Sequence, residues 1–210
     1  MPRSPEPARR DILDAALRLF ATNRISAVSM REIRIAADQR NVAALQYHFG
    51  NMDGLLNALL QRELPLLTDR REKLLTAAAD APDDDLWPVA AVWALPYAQL
   101  ATGTDHERYV VRLFSQLHDE VTYSLEQVRG MLADPTTDEA FRLLRERLPA
   151  EIDDVLLRER IAIATNSFVH AAAMRAAGRG NEVTDEMFPA VLVDMFLGAL
   201  TIAPSTRLAR

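Results

Sequence analysis

Between Asp38 and Asn51 the chain reads DQRNVAALQYHFGN, and the polar side chains in that stretch are of the kinds that read nucleic acid. Arg presents a planar fork matched to guanine O6 and N7, while Gln and Asn match adenine N6 and N7. Gln39, Arg40 and Asn41 stand in a row ahead of a short apolar segment, and Gln46 adds a further amide. Tyr47 and His48 follow, with a hydroxyl and an imidazole suited to phosphate oxygens, contacts that fix register without reading sequence. Ser29 and Arg31 can reach the sugar–phosphate backbone from one side, and Asn51 closes the set on the other.

Other chemistry finds little footing. The chain has no Cys, which excludes a disulfide framework, a thiolate metal site and a Cys nucleophile. Neither a phosphate-binding G-x-x-x-x-G-K-[ST] loop, nor H-E-x-x-H, nor a G-x-S-x-G elbow is present. Asp83-Asp84-Asp85 and His118-Asp119-Glu120 are dense in possible metal ligands. Consecutive residues on a helix point in different directions, however, and an acidic run in a linker stays solvated. No catalytic residue, metal or cofactor is therefore expected, and the chain is not expected to be an enzyme.

The elements that must hold these side chains are helical throughout. Ile12, Ala16, Leu19 and Phe20 repeat at helical spacing and predict a first helix over about 8–22. Asn23 is expected to end it in a left-handed conformation. Ser29-Met30-Arg31-Glu32 is a capping box and starts a short second helix to about Ala37. A tight polar turn leads to a third helix of about two turns, capped by Asn41, burying Ala44, Leu45 and Phe49. Asn51 caps a long fourth helix with a kink at Pro65. Residues 80–88, DAPDDDLWP, form the clearest linker, and helices are expected near 86–101, 105–120, 121–132, 137–147, 150–177 and 184–202. The expected fold is all-α: a three-helix helix-turn-helix domain over 1–50, and a helical regulatory and dimerisation domain over 51–210. The helix from about 51 to 79 is the connector.

Charge divides along the same line. Residues 1–50 hold eight Arg and five carboxylates, a net of +3, so a total of −6 leaves −9 for the remainder. A positive head on an acidic body suits a protein whose one end meets a polyanion. The N-terminus lacks the apolar run of a secretory signal, and no window approaches the roughly 18 apolar residues of a membrane span. A cytoplasmic location is expected.

Two short helices joined by a polar turn and braced by a preceding amphipathic helix describe a unit that seats its second helix in the major groove. The segments ILDAALRLF, SMREI, AADQRN, ALQYHFGN and GLLNALL resemble the N-terminal domain of tetracycline-repressor (TetR) family regulators over roughly residues 9–60. That resemblance implies a three-helix DNA-binding domain, a divergent all-helical body, a homodimer, and repression relieved by a small ligand. It implies phosphate contacts for Tyr47 and His48, and base reading by the turn and third helix. Three positions depart from the family pattern: Asp38 and Arg24 stand at frequent glycines, and Met52 at a common Lys.

In the body, Phe188, Val191, Leu192, Met195, Phe196, Ala199 and Leu200 form a wide apolar stripe, and the preceding helix is apolar or small nearly all round. Such a pair can build a two-fold four-helix interface, for which Phe168, Ala171, Val191, Leu192, Met195, Phe196 and Ala199 are the expected contacts. Cover of an intramolecular core is the alternative. Trp93, Tyr97, Phe114, His118 and Tyr123 gather aromatic and polar groups where a ligand pocket could form, or simply a core.

The expected function is therefore a homodimeric DNA-binding regulator, a repressor on a near-palindromic double-stranded operator, answering to an unidentified small-molecule effector. The alternative is an all-α small-molecule-binding protein or enzyme whose N-terminal helices merely pack.

Overall fold

The computed structural model describes residues 5–39, 41, 43–119, 130, 134–149, 152–180 and 182–202, with the backbone alone for Pro5, Ala44 and Asp119. Every regular element among them is helical. Helices α1 (Pro5–Thr22), α2 (Met30–Ala36), α3 (Ala43–Phe49) and α4 (Met52–Glu63) form the N-terminal part, with a short 3₁₀ turn at Ile25–Ala27. The larger helical region follows: α5 (Pro65–Asp80), α6 (Trp87–Thr102), α7 (Asp105–Asp119), α8 (Pro135–Arg147), α9 (Asp154–Ala176) and α10 (Phe188–Thr201). Apart from Gly130, the helix expected near 121–132, and Tyr123 with it, lies outside the described residues.

Helix α1 is buried on a broad stripe. Ile12, Leu13, Ala16, Leu17 and Phe20 are all withdrawn from solvent because α1 packs against α2 and α4 and also against α7 of the body. Its C-terminus corrects one expectation. Asn23 is not left-handed, since Asp38 is the one non-glycine residue of positive φ among those described. The Asn23 side chain folds back on the helix instead, Nδ2 donating to the Leu19 carbonyl at 3.0 Å beside the Asn23 amide at 2.9 Å.

The long connector is two helices. Pro65 has no amide hydrogen, so the ladder loses a bond there and α4 gives way to α5 at Leu64. In the body, α6 is the central rod. It is buried nearly all round, from Val89 to Ala101, and packs against α5, α7, α8, α9 and α10. Its aromatic residues meet those of α7, α9 and α10: Tyr97 lies 6.3 Å from Phe114 and 5.4 Å from Phe168, and Phe196 lies 5.9 Å from Trp93 (ring centroids).

A buried polar knot ties α5, α6 and the start of α8. Arg71 donates to Asp134 at 2.7 Å and to Thr137 Oγ1 at 3.0 Å, and its guanidinium lies over the Tyr97 ring. Asp134 in turn caps α8 through the amide of Thr136 at 2.8 Å. Burial pushes the Tyr97 hydroxyl above its ordinary pKa, against the opposing pull of Arg71. An unpaired charge here would cost several kcal/mol, so the three elements are held together.

Candidate nucleic-acid interface

The helix-turn-helix is set by its caps. Ser29 Oγ accepts from the amide of Glu32 at 3.2 Å, and Glu32 Oε2 accepts from the amide of Ser29 at 2.8 Å, so both halves of the capping box are present. Oγ also donates to that carboxylate at 2.7 Å. These bonds hold the Glu32 carboxyl below its ordinary pKa, the hydroxyl first and the backbone amide second. They also occupy the hydroxyl proton of Ser29 and one of its lone pairs, while Arg31 beside it is exposed.

The turn is a Schellman motif. The amide of Gln39 donates to the Arg34 carbonyl and that of Asp38 to the Ile35 carbonyl, each at 3.0 Å. The motif places one residue in the left-handed region, and that residue is Asp38, at φ 50°. Arg34 Nη1 reaches back to the Gln39 carbonyl at 2.8 Å, and Gln39 Nε2 contacts the Ala37 carbonyl at 3.3 Å. Gln39 is thus half-buried and braced. Arg40 lies outside the described residues.

Asn41 Oδ1 accepts from the amide of Ala43 at 3.0 Å, capping α3 and leaving its amide group outward. Along α3, Leu45 and Phe49 are buried, and Gln46 and Tyr47 are exposed, the latter by 82%. His48 is half-buried, packed edge-on to Tyr47 at 5.2 Å. Arg9 of α1 lies over the Phe49 ring at 5.6 Å. Asn51 Oδ1 accepts from the amide of Gly54 at 2.8 Å and caps α4. The structure therefore brings Gln46 and Tyr47 out on one short helix, with Asn41 at its cap, and spends the helix's apolar side on the core.

Two residues that the sequence reading passed over carry this geometry. Gly54 lies so close to the Phe49 carbonyl that an added Cβ would fall far inside van der Waals contact with it. Its signal was a glycine in the first turn of a helix, where helix propensity disfavours it. Arg9, which lies over the Phe49 ring, had no signal beyond its charge.

The body residues fall differently. Trp93, Tyr97 and Phe114 pack into the aromatic core, and His118 is half-buried with Nδ1 2.8 Å from the Phe114 carbonyl. An open cleft of about 130 Å³ lies elsewhere, lined by Thr102, Arg108, Arg175 and Asp185 among others. Of the expected interface residues, Phe168, Leu192 and Phe196 are buried within the protomer, because α9 and α10 both pack on α6. Val191 and Met195 are exposed, and Ala171 and Ala199 are intermediate.

Among the described residues no helix is long and apolar enough to cross a membrane. A comparison with curated proteins finds no match for the chain. Residues 12–59 match the family model described as bacterial regulatory proteins, tetR family, and that span covers α2, α3 and most of α1 and α4. The capped helix pair, its outward polar edge and this match together identify a DNA-binding regulator whose residues 12–59 form a helix-turn-helix domain of the tetR type, followed by a larger helical region.

Proposed function

We infer that this protein is a cytoplasmic, homodimeric repressor that occupies a near-palindromic operator through residues 29–51 of each protomer and is released by a small-molecule effector held in the body. The observation that carries this reading is α3. It is a two-turn helix on which Gln46 and Tyr47, with Asn41 at its cap, stand in solvent, on the part of the chain with a net charge of +3. Gln46 and the Asn41 amide suit base edges, whereas Tyr47, His48 and Arg31 suit phosphate. Residues 1–50 act as the head, 51–210 as the body, and the segment 51–79 joins them.

Two heads must stand about 34–36 Å apart to enter successive major grooves, which calls for a second copy. An apolar face is available for it. Ile163 on α9, Met187 at the N-terminal cap of α10, and Val191 and Met195 on α10 are large apolar side chains left in solvent, the last three at spacings of four that align them along one edge. Supporting an effector site in the body, the buried Trp93 indole N–H has no hydrogen-bond partner, on the same helix α6 as Tyr97 of the Arg71–Asp134 knot. An effector seated there would separate the aromatic rings, and it acts only insofar as it binds the DNA-incompetent conformer better.

The test is a duplex recovered by genomic footprinting, titrated by anisotropy at several salt concentrations. Tyr47→Phe is expected to weaken binding to all sequences alike, and Arg31→Ala to lower the salt slope by about one. Arg40→Ala and Gln46→Ala are expected to alter sequence preference instead. Unchanged affinity, slope and preference across all four variants would show that another surface meets DNA.

A further inference from the structure

Helix α7 begins on the border between head and body, and consecutive residues of its first turn hold different helices. His106 Nε2 lies 2.8 Å from Glu63 Oε2, at the last residue of α4. Glu107 pairs with Arg70 of α5. The break between α4 and α5 at Leu64 therefore falls between two grips made by one turn of α7. The turn itself is stiffened: Glu107 Oε2 also accepts from the amide of Thr104 at 2.8 Å, and Gly103 leaves the space into which the Glu107 side chain folds.

Glu63 is the unusual member. Its residue is 2% exposed, and both carboxylate oxygens are engaged, Oε1 by Arg62 Nε at 2.6 Å and Oε2 by His106. Arg62 Nη1 continues to Asp14 of α1 at 2.7 Å. The contacts thus run from the body's α7 through Glu63 and Arg62 to the helix that braces the recognition pair. A buried carboxylate that loses a partner moves toward water. The backbone beside Glu63 can yield, because Pro65 has already removed a ladder bond.

We propose that His106, although in the body, is a positioning residue for DNA binding: through Glu63 it fixes the angle across the α4–α5 break and hence where each head points. This rests on the two-headed reading above. Loss of the His106 contact leaves each head folded, with its own caps and core and with α1 still resting on α7, but loosens the angle across the α4–α5 break. Binding of a single head to half a site is then unaffected, and only the gain from engaging both half-sites together falls, a gain of up to about 10²–10⁴-fold.

The experiment compares two duplexes, the one selected from random sequence by the wild-type protein and the same duplex with one half scrambled. His106 is half-exposed, so His106→Ala keeps the fold, and His106→Gln restores a donor near the Nε2 position. For His106→Ala we expect about a tenfold or greater loss on the full duplex, no more than about twofold on the half-scrambled one, and recovery with His106→Gln. Amide exchange in α4 should quicken while that of α6 stays as in the wild type. Equal losses on both duplexes, or none on the full one, overturn the proposal. A wild-type protein that binds both duplexes equally refutes the two-headed reading instead.

Discussion

Replacing Asp38 separates the shape of the helix-turn-helix from its charge. Asp38 is the left-handed residue of the Schellman turn that ends α2, and it is solvent-exposed. The left-handed region costs an L residue about 1–2 kcal/mol, less for Asp, whose short side chain bonds locally. Glycine escapes that cost but gives back about 0.5–1 kcal/mol through its freer unfolded chain. Asp38→Gly is therefore expected to stabilise by about 0.5 kcal/mol, and Asp38→Ala, which has neither escape, to destabilise by about 1 kcal/mol. Charge acts separately. A unit negative charge about 10 Å from a phosphate costs about 0.4 kcal/mol in water, and screening at physiological salt reduces this severalfold. Summed over a few neighbouring phosphates, its removal should tighten DNA binding by roughly two- to threefold. Asp38→Asn removes the charge and keeps the tolerance for a left-handed backbone, so it should share the affinity gain of Asp38→Gly without its stability gain. Urea unfolding gives the first quantity and anisotropy titrations at low and high salt the second. If Asp38→Ala proves as stable as Asp38→Gly, the turn is not held as described. If affinity follows stability across the series, the electrostatic argument is wrong.

Three further outcomes follow from the same geometry. Gly54→Ala drives a methyl into the Phe49 carbonyl and should destabilise by about 1–3 kcal/mol, with loss of DNA binding exceeding what unfolding explains because α3 must move. Glu32 carries a lowered pKa in the folded head, so its capping contribution is fully present above the ordinary glutamate range and fades as pH falls through the lower folded value; Glu32→Gln should flatten that acid limb in a CD-monitored pH titration, and Ser29→Ala should cost about 1 kcal/mol at neutral pH. Met195→Glu, on the exposed side of α10, should yield folded monomers by sedimentation, whereas Leu192→Ala, on the buried side, should lower stability by about 2–5 kcal/mol; dimers persisting in Met195→Glu would place the contact elsewhere.

Which parts of this were readable in advance depends on how far apart the partners lie. The capping box and the Asn caps were legible because each joins residues two or three apart: Ser29 with Glu32 and Asn51 with Gly54 stand as their spacing predicts. So was the inward side of α3, since Leu45 and Phe49 share a face at any helical rotation. Asn23 misled because a side chain that folds back on the helix and a left-handed backbone suit the same residue type, and the carbonyl of Leu19 decided between them. The stripe on α10 left two readings open. It is wide enough for two neighbours, and periodicity cannot say that Leu192 and Phe196 meet α6 while Val191 and Met195 are left over.

By itself the sequence determined the helical character of the chain, the caps at Ser29, Asn41 and Asn51, and the buried side of α3, because those follow from propensity, local hydrogen bonds and a repeat of 3.6 residues. The tertiary structure alone decided what pairs with what across the chain: Arg71 with Asp134, His106 with Glu63, and a solid aromatic core around Tyr97 and Phe168. Those partners lie 43 to 71 residues apart, and only packing brings them within reach. A charge or ring acquires its role from the burial and neighbours it finds there, and neither is written in its local spacing.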